Sequence, residues 1–148
     1  MEIYLLLIIT ILVGMVTPLQ AGVNAFLGKH LNSAMQAGFI SFLGGFLIMT
    51  VCCLLTKKMF PTPSQLIKVP PYLLMGGLLG AIFVVSSIII APKIGATVYI
   101  ACVVTGQLVA SIIMDHYGWL GFSMHPINLW RIIGVLFLLI GVMLIRNF

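Results

Sequence analysis

Charge is what this sequence lacks most. Only 6% of its 148 residues are charged, whereas a soluble domain carries roughly a quarter. Hydrophobic residues make up 62%, and water could not keep so apolar a surface dispersed. The composition therefore excludes an ordinary soluble domain and predicts a chain with most of its length in lipid.

The scarcity of acids excludes further classes of function. The only carboxylates are Glu2 and Asp115, both near predicted membrane edges, so no acid lies mid-span to neutralise a cation or relay a proton. A lone Asp115 cannot form an aspartyl pair, and the three histidines have no ligand spacing or nearby nucleophile motif. The three cysteines show neither metal-site spacing nor an even count. We predict no enzyme, no metal and no cofactor.

Basic residues are present but dispersed. Seven Lys and Arg give a formal net charge of +5, yet they occur singly or in one pair and form no basic face for nucleic acid. Basic residues at the ends of apolar runs suit lipid headgroups. The predicted partner is therefore the lipid bilayer, and no nucleic acid.

Long apolar runs fill the chain, and each is close to the roughly 20 residues that a helix needs to cross a bilayer. We predict an all-α bundle of five transmembrane helices forming a single domain, 1–148. The first run is too long for a signal peptide and is taken as a retained helix. No internal repeat is evident, so any symmetry must come from a second copy. The predicted spans are 3–27, 34–56, 71–90, 94–114 and 130–146.

Basic residues divide almost evenly between the two sides of the membrane. Five spans put Lys57, Lys58, Lys68 and Arg131 on the N-terminal side, and Lys29, Lys93 and Arg146 on the other, which is four against three. Because basic residues favour the cytoplasm, the preference for either orientation is weak. Two interpretations stay open: one orientation with a cytoplasmic N-terminus, or insertion both ways to give an antiparallel pair.

Polar residues form two stripes on predicted helices. At 100° per residue, Thr17, Gln20 and Asn24 lie roughly −20°, −80° and −40° from Thr10 on the first span. On the fourth span, Gln107, Ser111 and Asp115 lie roughly −80°, −40° and 0° from Thr97. Polar side chains inside a membrane usually face protein or a water-filled path.

These stripes predict a solute-binding cavity between the first and fourth spans, because amides offer both donors and acceptors to a polar solute. Equally, the amides could simply join helices, each bond contributing about 0.6 kcal/mol. Pro18 should kink the first helix. The carbonyl that it frees could accept a hydrogen bond from a solute, or the kink could be purely structural. The predicted binding residues are Thr17, Gln20, Asn24, Tyr99, Gln107 and Ser111, with Lys93 and Asp115 at an entrance.

Glycines are also spaced regularly. Gly76 and Gly80 form a GxxxG pair, which permits close approach of two helix backbones. Gly134 and Gly141 lie seven residues apart on one face of the last span. We interpret both pairs as packing seams, the second one as a contact that could join subunits.

Five short segments of the sequence are distinctive when taken together, namely 20–28, 76–81, 92–96, 106–108 and 115–118. They resemble the YdcZ-type family of bacterial inner-membrane proteins, and the similarity covers nearly the whole chain. The resemblance implies a multi-pass protein of the bacterial inner membrane, within the drug/metabolite transporter superfamily. It further implies a half-size transporter that pairs with itself or with a sister chain into an inverted repeat. Unlike the multidrug branch, this sequence has no mid-helix glutamate, which argues against cation export.

The leading hypothesis is a secondary transporter of small metabolites that works by alternating access as an antiparallel homodimer or a heterodimer. The missing mid-span acid favours neutral or anionic solutes. A structural or accessory membrane protein, in which the amides only join helices, is the alternative from another class. A passive channel is a third hypothesis.

Overall fold

Helices make up most of the part of the chain that the structure describes. A computed structural model describes residues 2–56 and 60–147, and no strand occurs among them. Lys57 and Lys58 of the charge comparison lie outside the described residues. The helices are α1 Glu2–Gly14, α2 Val16–His30, α3 Ala34–Leu55, α4 Pro63–Ile67, α5 Gly76–Ile94, α6 Ala96–Tyr117 and α7 Leu129–Asn147, with 3₁₀ turns at Pro71–Met75 and Trp119–Gly121.

Five helical segments of the described chain are long and apolar enough to cross a membrane, which confirms the predicted fold class. Most of their large apolar side chains are exposed, as expected where lipid replaces water around the protein. Several hydroxyls, among them those of Thr10, Thr50 and Ser86, donate to a carbonyl four residues earlier in their own helix. These bonds satisfy polar groups that hydrocarbon cannot solvate. The spans are Ile3–His30, Ala34–Leu55, Pro71–Ile94, Ala96–Tyr117 and Leu129–Asn147.

Prolines and glycines explain how the observed boundaries differ from the expected ones. The first span is interrupted at Met15, because Pro18 has no N–H to donate to the carbonyl of Gly14. The third span was expected to end at residue 90 but continues through Pro92 to Ile94. Pro92 lies in the last turn of α5, where it removes one hydrogen bond and only two more residues of that helix follow. Gly95, at φ +86°, then ends the helical path before α6 begins.

Met1–Lys93 form one compact unit, whose core combines alanine with larger aliphatic side chains. Ala37 is fully buried and, with Val84 and Ile88, forms its centre. A Cβ built on Gly28 would lie 2.8 Å from Cγ2 of Ile88 and 3.7 Å from Cβ of Ala37. The glycine therefore lets α2 come close to α3 and leaves room for the Ile88 side chain of α5.

Ile94–Phe148 form the second compact unit, in which α6 packs against α7. Half-buried residues of α7, including Arg131, Val135, Leu138 and Val142, recur at intervals of three and four, which is the spacing of one helix face. The assignment of the whole chain to one domain, and to half of an inverted repeat, stays a prediction.

Candidate functional site

An open cleft of about 460 Å3 in the first unit contains one of the predicted site residues, Gln20. The Gln20 side chain is exposed there, and Ser41 of α3 contributes a second polar group. The remaining lining is apolar, and none of the lining residues carries a formal charge. The cleft can therefore offer an amide and a hydroxyl to a solute whose other surface is apolar.

One face of α3 supplies most of the apolar wall. Phe42, Gly45, Phe46 and Met49 all line the cleft, at the spacing i, i+3, i+4 and i+7 that places residues on one side of a helix. Val84 of α5 adds to the lining. The two rings and the thioether provide a polarisable surface against which a flat or aliphatic group can pack.

Asn24 lies deeper in the same unit, one turn beyond Gln20. It is only 5% exposed, and its Nδ2 donates to Oγ of Ser41 across 3.1 Å. This bond joins α2 to α3 and fixes the Ser41 hydroxyl beside the cleft. In the described structure, Asn24 thus joins helices, while Gln20, four residues earlier, lines the open space.

The other predicted residues of the first span lie close by on the same helix. Thr17 and Pro18 are half-buried at the start of α2, just after the interruption at Met15. Neither lines the cleft. Lys93, predicted at an entrance, is exposed near the end of α5.

In the second unit, the predicted residues of α6 differ in exposure. Tyr99 is buried, Ser111 is half-buried and Gln107 is exposed. The Ser111 hydroxyl donates to the carbonyl of Leu108 in its own helix. Gln20 and Gln107 belong to different compact units, and the cavity they were expected to share stays a prediction.

Asp115 is held by an ion pair. Its Oδ2 accepts from Nη1 of Arg131 at 3.2 Å, with both side chains about 30% exposed (30% and 28%). The same Arg131 nitrogen also donates to the carbonyl of His125. Because the pair is partly solvated, we expect at most about 1 kcal/mol of stability from it. Its clearer effect is to tie the start of α7 to the end of α6.

The glycines predicted as packing seams differ in their surroundings. A Cβ on Gly80 would lie 3.3 Å from the Phe42 ring, so Gly80 does adjoin α3. Around Gly76, Gly134 and Gly141, the described residues leave open space within 4 Å. A helix of another chain could therefore approach the backbone closely at these three positions.

Sequence reasoning missed the α3 wall of the cleft and the Arg131 partner of Asp115. A signal existed for both. The spacing of Phe42, Phe46 and Met49 on one helix face is readable directly, and Asp115 ends one span just before Arg131 begins the next. No group of three His, Cys, Asp or Glu within the described residues is placed to hold a metal ion.

A comparison with family models gives one match that spans most of the chain. Residues 5–144 match the DMT_YdcZ model, described as "Putative inner membrane exporter, YdcZ". The chain belongs to the YdcZ family. This confirms the resemblance carried by the segments at 20–28, 76–81, 92–96, 106–108 and 115–118. The comparisons with curated proteins and with solved structures gave no match.

Membership in the YdcZ family agrees with the five apolar spans and supports a multi-pass membrane protein with a transport function. The family's description names the inner membrane. An exporter family also favours a non-enzymatic function.

Proposed function

We propose that this YdcZ-family chain is one subunit of a small-metabolite exporter of the bacterial inner membrane, and that the cleft containing Gln20 binds its solute. The observation that carries this proposal is the open cleft of about 460 Å3, where one exposed amide stands over an apolar wall. A volume of this size lies within the usual range for small-molecule sites, about 300–1,000 Å3. The family description supports export as the direction of transport.

The chemistry of the cleft favours a neutral or anionic solute with an apolar part. Its lining contains no carboxylate that could balance a permanent cation. The Gln20 amide can donate hydrogen bonds from its NH2 group and accept them at its carbonyl oxygen. Ser41 already accepts from Asn24, so its hydroxyl proton remains available to an acceptor on the solute.

We further propose that two chains act together by alternating access, as an antiparallel homodimer or with a sister chain. A second copy would enclose the open side of the cleft and bring further polar groups, Gln107 and Ser111 among them, toward the solute path. The open surroundings of Gly134 and Gly141 support α7 as a surface for close helix contact. In this arrangement Lys93 and the bridged Asp115 would lie near the entrances.

Replacing Gln20 by Ala should slow solute movement without unfolding the protein. Gln20 is exposed, and the loss of one hydrogen bond to the solute, about 0.5–1.5 kcal/mol, corresponds to roughly a two- to tenfold lower rate. We would measure saturable flux of a broad metabolite panel in liposomes containing the purified protein. Gln36→Ala is the matched control, because Gln36 is an exposed glutamine of α3 outside the cleft.

The accessory-protein hypothesis predicts different results. No member of the panel would move, and Gln20→Ala would change neither flux nor binding. A passive channel would show flux that rises linearly with concentration. Saturable flux that Gln20→Ala lowers and Gln36→Ala does not would support the exporter.

Orientation tests the pairing. The four-to-three split of basic residues predicts that the chain inserts both ways. Two C-terminal reporters, one active only in the cytoplasm and the other active only in the periplasm, should then both give signal. Adding two lysines after Phe148 should shift the population toward a cytoplasmic C-terminus. Signal from one reporter alone, unchanged by the added lysines, would reject the antiparallel homodimer and leave the sister-chain pair.

A further inference from the structure

The connection between α6 and α7 is unusually apolar for a loop. Residues 118–130, here called the aromatic segment, comprise this connection and the first two residues of α7. They contain no Lys, Arg, Asp or Glu and hold both tryptophans of the protein. By contrast, the connection between α3 and α5 carries Lys57, Lys58 and Lys68. Large apolar side chains of the aromatic segment are exposed, namely Trp119, Leu120, Phe122, Met124, Leu129 and Trp130.

The polar backbone of the aromatic segment is bonded internally at several points. The His125 N–H donates to the carbonyl of Asp115 at 2.8 Å, and the Ile127 N–H donates to Nδ1 of His116 at 3.1 Å. The Arg131 guanidinium donates to the carbonyl of His125. These contacts, made from the ends of α6 and α7, replace bonds that a hydrated loop would make to water. A segment that enters a region poor in water needs such partners.

Leu120 indicates which way the segment faces. It adopts φ +56°, a left-handed conformation that is costly for a leucine and usual for glycine or asparagine. Its side chain is 69% exposed and fills no internal space that would explain it. A water-facing turn would favour a polar residue or glycine here, whereas a lipid-facing turn gains from the leucine side chain.

An aliphatic groove joins the segment to the lipid-facing surface of its unit. The groove, of about 300 Å3, is lined by Ile127 of the segment and by aliphatic residues of α6 and α7, such as Ile113 and Leu136. Ile113 and Leu136 are themselves exposed on membrane spans. The exposed apolar surface is therefore continuous from the two spans into the segment.

From this charge-free sequence, the internal bonding and the continuous apolar groove, we propose that the aromatic segment lies within the headgroup–acyl boundary of the bilayer, with a phospholipid acyl chain in the groove below Ile127. Tryptophan is enriched at that boundary, because its ring is apolar and its N–H is polar. The ion pair of Asp115 with Arg131 holds the segment at this depth. This inference does not depend on the transport proposal.

The two tryptophans make the test direct. Trp130→Phe leaves Trp119 as the sole fluorophore, and Trp119→Phe leaves Trp130. Each variant is reconstituted into phosphatidylcholine vesicles brominated either near the glycerol end or near the methyl end of the acyl chains. We expect emission shifted to the blue, stronger quenching by bromines near the glycerol end, and little quenching by aqueous acrylamide.

Reference positions calibrate the depth. In the protein with both tryptophans replaced by Phe, Phe137→Trp places a reporter in the middle of α7, and Phe60→Trp places one in the lysine-flanked connection; both residues are exposed. The first should be quenched most by bromines near the methyl end, and the second most by acrylamide. Arg131→Gln should move Trp119 toward the acrylamide-sensitive pattern, by releasing the carbonyl of His125.

Two results would overturn the proposal. If Trp119 and Trp130 behave like the reporter at position 60, the segment is hydrated. If their emission is blue-shifted but neither brominated lipid nor acrylamide quenches it, protein covers the segment, and a second copy of the chain is the occupant. Because both tryptophan replacements are conservative and exposed, loss of folding is not expected to obscure the outcome.

Discussion

Adding a single methyl group at Gly28 should loosen the first unit substantially. A Cβ at Gly28 would lie 2.8 Å from Cγ2 of Ile88, which is closer than two carbon atoms can approach without repulsion. Ile88 is buried and β-branched, so its side chain has few other rotamers to adopt. We expect Gly28→Ala to lower the free energy of unfolding by about 1–3 kcal/mol, the usual cost of overpacking.

Gly22 provides the control for Gly28. It lies on the same helix, and the described residues leave open space around a Cβ at that position, so Gly22→Ala should be neutral or slightly stabilising. Unfolding in mixed micelles, followed by circular dichroism, measures the free energy of unfolding of both variants. Combined with Ile88→Ala, Gly28→Ala should cost less than it does alone, because the shortened side chain at position 88 no longer meets the added methyl group. Equal effects at positions 22 and 28 would show that helix propensity, and not close packing, is responsible.

Filling the cleft from Gly45 should strongly reduce transport while leaving the fold intact. Gly45 lines the cleft, and nothing in the described structure lies within 4 Å of a Cβ built there. A leucine can therefore extend into the space that the proposed solute needs. Because small changes in pocket shape alter recognition by large factors, we expect Gly45→Leu to lower saturable flux roughly tenfold or more.

The neighbouring glycine, Gly44, is the control that distinguishes blocking of the cleft from a general effect of adding a leucine to α3. Gly44 also has open space around a Cβ but does not line the cleft, so Gly44→Leu should keep normal flux. Both variants should unfold at the same denaturant concentration as the native protein. If Gly45→Leu transports normally, the solute passes elsewhere, whatever the result at Gln20.

The five spans were predictable because about 20 consecutive apolar residues are a strong signal. Their ends were less so. Pro92 marked a stop in the sequence, but the helix continues through it to Ile94, since a proline in the last turn leaves few later bonds to disturb. A boundary depends on such individual bonds, whereas a span depends on the average over many residues.

The candidate site was only partly predictable. Helical geometry placed Gln20 and Asn24 on one arc, but it could not tell which would meet another helix. That depends on the position of Ser41 along α3. Ser41 accepts the hydrogen bond of Asn24, while Gln20 lies in open space. Likewise, the Phe42 to Met49 pattern was visible in the sequence, although only the packing of α3 beside α2 makes it a wall.

The unequal lengths of the spans have a consequence for the depth of Gln20. The first span has 28 residues and the last has 19, so straight helices of these lengths would measure about 42 Å and 28 Å. A hydrocarbon layer of about 30 Å matches the second length, while the first must tilt, bend at Met15 or extend beyond the layer to fit. Changing the acyl-chain length of the host membrane will therefore change the tilt of the first span more than that of the last. The depth of Gln20 in the bilayer will change with that tilt.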